Sequence, residues 1–150
     1  MGYKFGKNSQ GKLNTCHKDL QLIFNKVISI SKVDFGISEG HRSVERQNEL
    51  YIQGKSKIDG INKLGKHNHY PSQAVDIFAY HANREVRSKL AYDKSHLGYI
   101  AGIVDAVAEE LYLEGKITHK IRWGGNWDSD GIIDFDQSFD DYPHFELIKV

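Results

Sequence analysis

Cysteine is nearly absent: the 150-residue chain contains one, Cys16, which excludes a disulfide framework. Proline occurs twice and the 14 glycines follow no period, so collagen-like and low-complexity architectures are excluded as well. No stretch approaches the roughly 18 uninterrupted apolar residues of a membrane span. The opening MGYKFGKNSQGK lacks the apolar run of a secretory signal. The chain therefore reads as a product made soluble in the cytoplasm, without stable membrane insertion, which acts outside only if another agent lets it through. An excess of one charge is also missing. Twenty Lys and Arg balance 20 Asp and Glu, which argues against nucleic acid as a partner.

What is present suits a single cored domain over residues 1–150: 39% of the side chains are hydrophobic and 27% charged. The neutral total hides an asymmetry. Residues 1–66 carry 12 Lys and Arg against 6 Asp and Glu, a bias that could assist adsorption to an anionic envelope. Residues 126–141 carry six Asp and no basic residue.

Leu20, Ile23, Phe24, Val27 and Ile28 recur at helical spacing after Asn14 or Thr15, either of which can cap the helix. VDFGIS at 33–38 reads as a strand. Ser43 then caps a second helix that stops at Gly54, and a long polar connection fills 54–72. In AVDIFAY at 74–80, Val75, Ile77 and Ala79 share one face, so Asp76 projects from the other. A helix from about Ser95 to Glu114 aligns Ile100, Ile103, Val104, Val107, Ala108 and Leu111 and ends at Gly115. KIRWG at 120–124 and HFELIKV at 144–150 supply two further strands. The fold class is α+β, a mostly antiparallel sheet packed by helices.

Eight histidines are too many to mean much singly, so position must select among them. A histidine of the loop KHNHYPSQ lies a few residues before Asp76, and His144 follows Pro143, which is tolerated at a strand start but not inside a sheet. Two imidazoles and a carboxylate suffice for a catalytic zinc with an open position for water. Zinc lowers the pKa of that water to about 7, and a carboxylate outside the ligand set can take its proton. Asp141 is the candidate base. It stands three residues before His144, which on a straight strand is the opposite face, so it must lie in a bend ended by Pro143. Arg42, on a strand-to-helix turn, suits the oxyanion donor, and Gln47 one turn on could bind substrate.

Together the segments SEGHRSVERQ, HNHYPSQAVDI, IRWGGNWDSDG and FDDYPHFEL resemble the LAS-type zinc metallopeptidases. These are the VanY-like D-alanyl-D-alanine carboxypeptidases and, more closely, phage endolysins of the L-alanyl-D-glutamate peptidase type. The resemblance implies a small α+β domain of the LAS or hedgehog-like kind with a zinc cleft at the sheet edge. It implies His67, Asp76 and His144 as zinc ligands, Asp141 as base and Arg42 as transition-state donor. The substrate it implies is the peptide stem of bacterial peptidoglycan, cut between L-alanine and D-glutamate by a monomeric hydrolase that reaches the wall through a holin lesion.

Two departures stand out. The serine usual two positions before the first ligand is Gly65 here. His69 also competes with His67, since the family's shorter pattern sets seven positions to Asp76 and the longer HN-x-x-PS-x-AVD pattern sets nine; Asn68, Pro71 and Ser72 favour His67. Asn126, Asp128, Asp130 and Asp134 fall at the first, third, fifth and ninth places of an EF-hand-like loop, which makes Ca²⁺ a second candidate ion. Trp123, Trp127 and Tyr142 could wall the groove, and Glu146 could support His144. The rival functions are a D-alanyl-D-alanine carboxypeptidase of the same fold and a non-catalytic wall-binding zinc module. The letters His67, Asn68, His69 of an HNH nuclease are coincidental in a chain without a basic excess.

Overall fold

The computed structural model describes residues 2–127, 129, 131–133 and 141–149. In chain order the elements are α1 (Lys7–Leu13), α2 (Lys18–Ile30), β1 (Phe35–Glu39), α3 (Val44–Ile52), a 3₁₀ turn (Lys66–Asn68), β2 (Ala74–Ala79), α4 (Arg84–Leu90), α5 (Lys94–Leu113), β3 (Lys120–Gly124) and β4 (Asp141–Ile148). The four strands form one antiparallel sheet in the order β1-β2-β4-β3. This is the expected α+β arrangement.

The sheet has two unlike faces, as the alternation of its residues requires. Val75, Ile77 and Ala79 of β2 and Phe145 and Leu147 of β4 are fully buried on one face. There they meet the apolar stripes of α2 (Leu20, Ile23, Phe24, Val27) and α5 (Leu97, Ile100, Val104) in one continuous core. Phe24 is the hub: its ring meets Phe145 edge-on at 5.5 Å and Phe35 at 6.4 Å. The other face carries Asp76, His144 and Glu146.

Caps follow local chemistry, with one difference from expectation. Ser43 accepts the Arg46 N–H at 3.0 Å, and Asp93 accepts that of His96 at 3.1 Å. Gly54 (φ +76°) and Gly115 (φ +74°) follow α3 and α5 in the left-handed region that glycine enters without a Cβ clash. α2, however, is capped by His17, whose Nδ1 accepts the Asp19 N–H at 3.0 Å, and not by Asn14 or Thr15. Asn14 closes α1, and the Thr15 hydroxyl donates to the Lys12 carbonyl while accepting the His41 N–H. The short helices α1 and α4 lack an apolar stripe to announce them in the sequence; α4 buries no residue at all.

β4 begins earlier than the sequence suggested, at Asp141, so Pro143 lies inside the strand. The ladder accommodates it. β2 pairs with β4 only over His144–Glu146, and the β3 register slips between Trp123↔Phe145 and Gly124↔Asp141. Neither neighbour pairs with Pro143, which has no N–H to offer.

Phe24→Ala is expected to cost about 3–5 kcal/mol, because it removes the ring through which α2 packs on Phe35 of β1 and Phe145 of β4. Ile52→Ala, at a side chain 75% exposed, should stay within about 0.5 kcal/mol. Urea titration of both variants, read as a midpoint shift at constant slope, checks the pair.

Candidate active site

The register sets Asp76 directly opposite His144, so both side chains leave the sheet side by side on the face opposite α2 and α5. His67 reaches them from the 54–72 connection, whose 3₁₀ turn is pinned from three sides. The Arg42 N–H donates to the His67 carbonyl at 2.8 Å, the Asn68 side chain donates to the Arg42 carbonyl at 3.0 Å, and the Gly65 N–H donates to Asn68 Oδ1 at 2.7 Å. His67 and His144 are 4% and 9% exposed. His69 points outward and is exposed.

Asp76 Oδ1 lies 3.2 Å from His67 Nε2 and 2.9 Å from His144 Nδ1. The opposite nitrogen of each ring is spoken for. His67 Nδ1 must donate to the Gly40 carbonyl, 2.7 Å away, which turns its Nε2 towards Asp76. His144 Nε2 donates to Glu146 Oε1 at 2.9 Å, and Glu146 is held in turn by Arg122 Nη2 at 2.6 Å. These outer hydrogen bonds fix ring orientation and aim one imidazole nitrogen from each side at a common point. With the Asp76 carboxylate they make three donor atoms within 4.8 Å of one another. The set suits a divalent ion of the zinc class, which takes imidazole and carboxylate ligands.

Burial alone pushes the Asp76 carboxyl up, but hydrogen bonds from His144 and His67 outweigh it and hold the group ionised far below the usual carboxylate range. Burial lowers the His144 pKa, and the hydrogen bonds to Asp76 and Glu146 reverse this, bringing it to about 10. Metal-free, the ring is a cation at neutral pH.

Arg42 stands beside this cluster in the turn between β1 and α3. Its Nε and Nη2 donate to the two oxygens of Glu39 at 2.6 and 2.7 Å, Nη1 donates to Gln47 Oε1 at 2.9 Å, and Nη2 is 3.8 Å from Asp76 Oδ2. This fork is fixed before any substrate arrives. Gln47 itself is 2% exposed, and its amide donates to Ser56 Oγ at 2.8 Å and to the Ile58 carbonyl at 2.7 Å. The sequence placed Gln47 against substrate; its hydrogen bonds are instead consumed in holding Arg42 and the 54–72 connection.

Asp141 is the first residue of β4, ahead of Pro143 in the same strand. The slipped register brings it opposite Gly124, and a Cβ at that glycine would stand 2.0 Å from the Asp141 carbonyl oxygen, so only glycine permits the approach. Its carboxyl is within electrostatic reach of His144, Asp76, His67 and Arg42. Burial is the dominant influence and raises its pKa, making it a better proton acceptor.

Trp123 is 6% exposed, stacks on Phe145 at 6.5 Å and donates its indole N–H to the Tyr142 carbonyl at 2.8 Å, so it belongs to the core and not to a groove wall. Trp127 is the tryptophan at the site, 5.4 Å from the His144 ring and covered by Arg122 at 5.4 Å. Tyr142 is half-buried and tilted against Trp123. Of the acidic loop, Asn126 is half-buried, with its Oδ1 buried and unpartnered among the described residues; Asp128, Asp130 and Asp134 lie outside the described residues. Cys16 packs in the core, and burial pushes its thiol up to about 12, which makes it inert. Sequence reasoning assigned nothing to Glu39 or Arg122, although SEGHR sets a carboxylate three residues before Arg42.

Comparison with known proteins bears on the same chain. A family model described as phage L-alanyl-D-glutamate peptidase matches residues 1–148. The L-alanyl-D-glutamate peptidase of Escherichia phage T5 is 26% identical over 132 residues, covering 87% of this chain and 86% of that protein. The peptidoglycan L-alanyl-D-glutamate endopeptidase CwlK of Bacillus subtilis is 30% identical over 120 residues; the match covers 77% of this chain and 62% of CwlK, which is therefore the longer protein. The crystal structure of the Serratia marcescens L-Ala D-Glu endopeptidase ChiX superposes with a TM-score of 0.72 at 27% identity, covering 98% of this chain and 91% of that one.

Two outcomes follow from the hydrogen bonds around His144. Glu146→Gln should weaken metal affinity about 10–100-fold, measured by competition against a chelating dye. In the metal-free protein, burial raises the Glu146 carboxyl but its bonds from His144 and Arg122 win, lowering it from 4.5 to about 2. Its stabilising contribution is therefore complete above about pH 4.5 and disappears as the pH falls towards 2. The variant should lose that part of the acid limb in thermal melts.

Proposed function

The chain belongs to the phage L-alanyl-D-glutamate peptidase family, and on that premise we propose that it is a zinc peptidase that cuts the L-alanyl-D-glutamate bond in the peptide stem of peptidoglycan. The observation that carries the reading is the convergence of His67, Asp76 and His144 from a loop and two paired strands, with Arg42 and Asp141 at their side. Zinc, held by the two imidazoles and Asp76, would make water acidic enough to attack at neutral pH and would polarise the scissile carbonyl.

The chain's own residues do the rest. Asp141 accepts the proton of the attacking water and returns it to the departing D-glutamyl amine as the carbon–nitrogen bond breaks. Arg42 is charged at any working pH: burial opposes its charge, but the hydrogen bonds and charge of Glu39 raise its pKa above the ordinary value. Its guanidinium stabilises the carbonyl oxygen as that atom gains negative charge. Glu39 and Gln47 keep the fork in place, so little reorganisation is needed during the reaction.

The proposed role is wall lysis by a monomer that meets its polymer after a holin-type lesion. No helix among the described residues is long and apolar enough to cross a membrane. Asn126 Oδ1, buried with no partner among the described residues, supports the reading of calcium as a second ion, for which restoration of chelator-treated enzyme by zinc plus calcium, beyond zinc alone, is the test.

Purified peptidoglycan digested with and without a chelator, and analysed by mass spectrometry, tests the bond. New D-glutamyl amino termini that vanish with the chelator are expected. Released D-alanine would transfer the assignment to the carboxypeptidase rival. Asp141→Asn is expected to keep its metal and lose about 10²–10⁴ in kcat; wild-type turnover in a metal-loaded variant would remove Asp141 from the mechanism.

A further inference from the structure

Outside the catalytic cluster, the described residues contain one other group able to hold a metal: His17, Asp19 and His119, again with a donor atom from each within 4.8 Å of the others. They meet where α2 begins and β3 is about to start. His17 is tied to the chain before β2 by its N–H, which donates to the Ser72 carbonyl at 2.8 Å. His119 directly precedes β3.

The group shares features with the first. In each, a carboxylate is joined by two imidazoles whose rings meet edge to face, at 4.8 Å and 72° for His17 and His119 against 5.1 Å and 66° for His67 and His144, but Asp19 hydrogen-bonds only one of its rings where Asp76 bonds both. Each carboxylate also approaches a histidine Nδ1 to 2.9 Å, here Asp19 Oδ2 to His119 and there Asp76 Oδ1 to His144.

Asp19 supplies an independent observation. It is 0% exposed, and its two oxygens are treated very differently. Oδ2 accepts from the Thr118 N–H at 3.0 Å, the His119 N–H at 3.2 Å, the Thr118 hydroxyl at 3.3 Å and the His119 ring. Oδ1 is buried with no hydrogen-bond partner among the described residues; His17 Nδ1 is 3.8 Å away, beyond hydrogen-bond reach. A buried carboxylate oxygen left bare costs free energy that a bound cation would recover.

We propose that His17, Asp19 and His119 form a second, non-catalytic binding site for a divalent ion of the zinc class, which clasps the start of α2 to the approach to β3. The donor set of two imidazoles and a carboxylate selects zinc-like ions over calcium or magnesium. Side-chain exposures of 23% for His17 and 21% for His119 leave room for water to complete the coordination. Since His17 Nδ1 also caps α2, ion binding and capping compete for one lone pair, and the site should be about tenfold weaker than the first. An ion there joins segments about a hundred residues apart in sequence and binds only the folded chain, so it stabilises by mass action.

Equilibrium dialysis against zinc with elemental analysis of the full chain tests this. The wild type should hold two equivalents, and His119→Gln and His17→Gln one each, with peptidase activity within about twofold of wild type. Asp76→Asn should also hold one equivalent and be inactive, and zinc should still raise its Tm; that rise should vanish in Asp76→Asn/His119→Gln. Circular dichroism of the metal-free proteins establishes that the variants fold, and His119→Gln, which leaves the α2 cap untouched, serves if His17→Gln does not. A wild type with a single equivalent, lost on Asp76→Asn, would overturn the proposal and show a cluster joined by a proton alone. Two equivalents retained in folded His119→Gln would overturn it equally. Loss of activity without loss of an equivalent in Asp76→Asn would count against the catalytic zinc reading and leave this one standing.

Discussion

The Asp76 carboxylate, held between two imidazoles on the face of the sheet opposite α2 and α5, is the contact on which the rest of the site depends. It is ionised because His144 and His67 outbid the cost of burying it. Its position follows from register alone: β2 alternates, so committing Val75 and Ile77 to the core sends Asp76 outward, and antiparallel pairing then brings His144 alongside. A one-residue slip of β2 would bury the carboxylate among Phe24 and Phe145 and dissolve both core and site together. Stability and chemistry therefore select the same register.

Regular sheet geometry cannot supply Asp141. On an unbroken strand it would face the helices with Phe145, and the site would lack its proton acceptor. Pro143 and Gly124 together remove the conflict, one by offering no N–H to pair and the other by letting the β4 backbone come within a distance that any Cβ would forbid. A register shift of this kind is the device by which bulges re-aim a side chain, and it frees Asp141 from the alternation that Phe145 obeys.

This division of labour explains what the sequence disclosed. Long apolar periods announced α2, α5 and the two faces of β2, because burial of a stripe or a face leaves a pattern. α4 buries no side chain and left none. The trio that converges was legible from a strand face, a post-proline position and a resemblance; spacing to Asp76 left His67 and His69 open, and Asn68, Pro71 and Ser72 favoured His67 over the exposed His69. Gln47 and Trp123 were assigned to substrate because residue type and proximity in sequence do not reveal how a side chain's hydrogen bonds are spent. Gln47 has none to spare, and the indole N–H of Trp123 serves the β4 backbone. Glu39 and Arg122 went unassigned for the converse reason: each acts only through another residue.

Charge accounting around the cluster gives an independent argument for a dication. Four carboxylates, those of Glu39, Asp76, Asp141 and Glu146, face two guanidiniums, those of Arg42 and Arg122, among the described residues. With both imidazoles neutral, two negative charges stay uncompensated in a largely buried setting, where they are costly. The metal-free protein relieves part of this by protonating His144, whose pKa rises to about 10. A divalent ion compensates both charges at once and must displace that proton to reach Nδ1, so metal uptake near neutral pH is coupled to proton release. The same arrangement separates the two acids by task. Asp76, gripped by both rings, is too weak a base to move a proton, whereas the half-buried Asp141, whose carboxyl burial raises, is the better proton acceptor of the two.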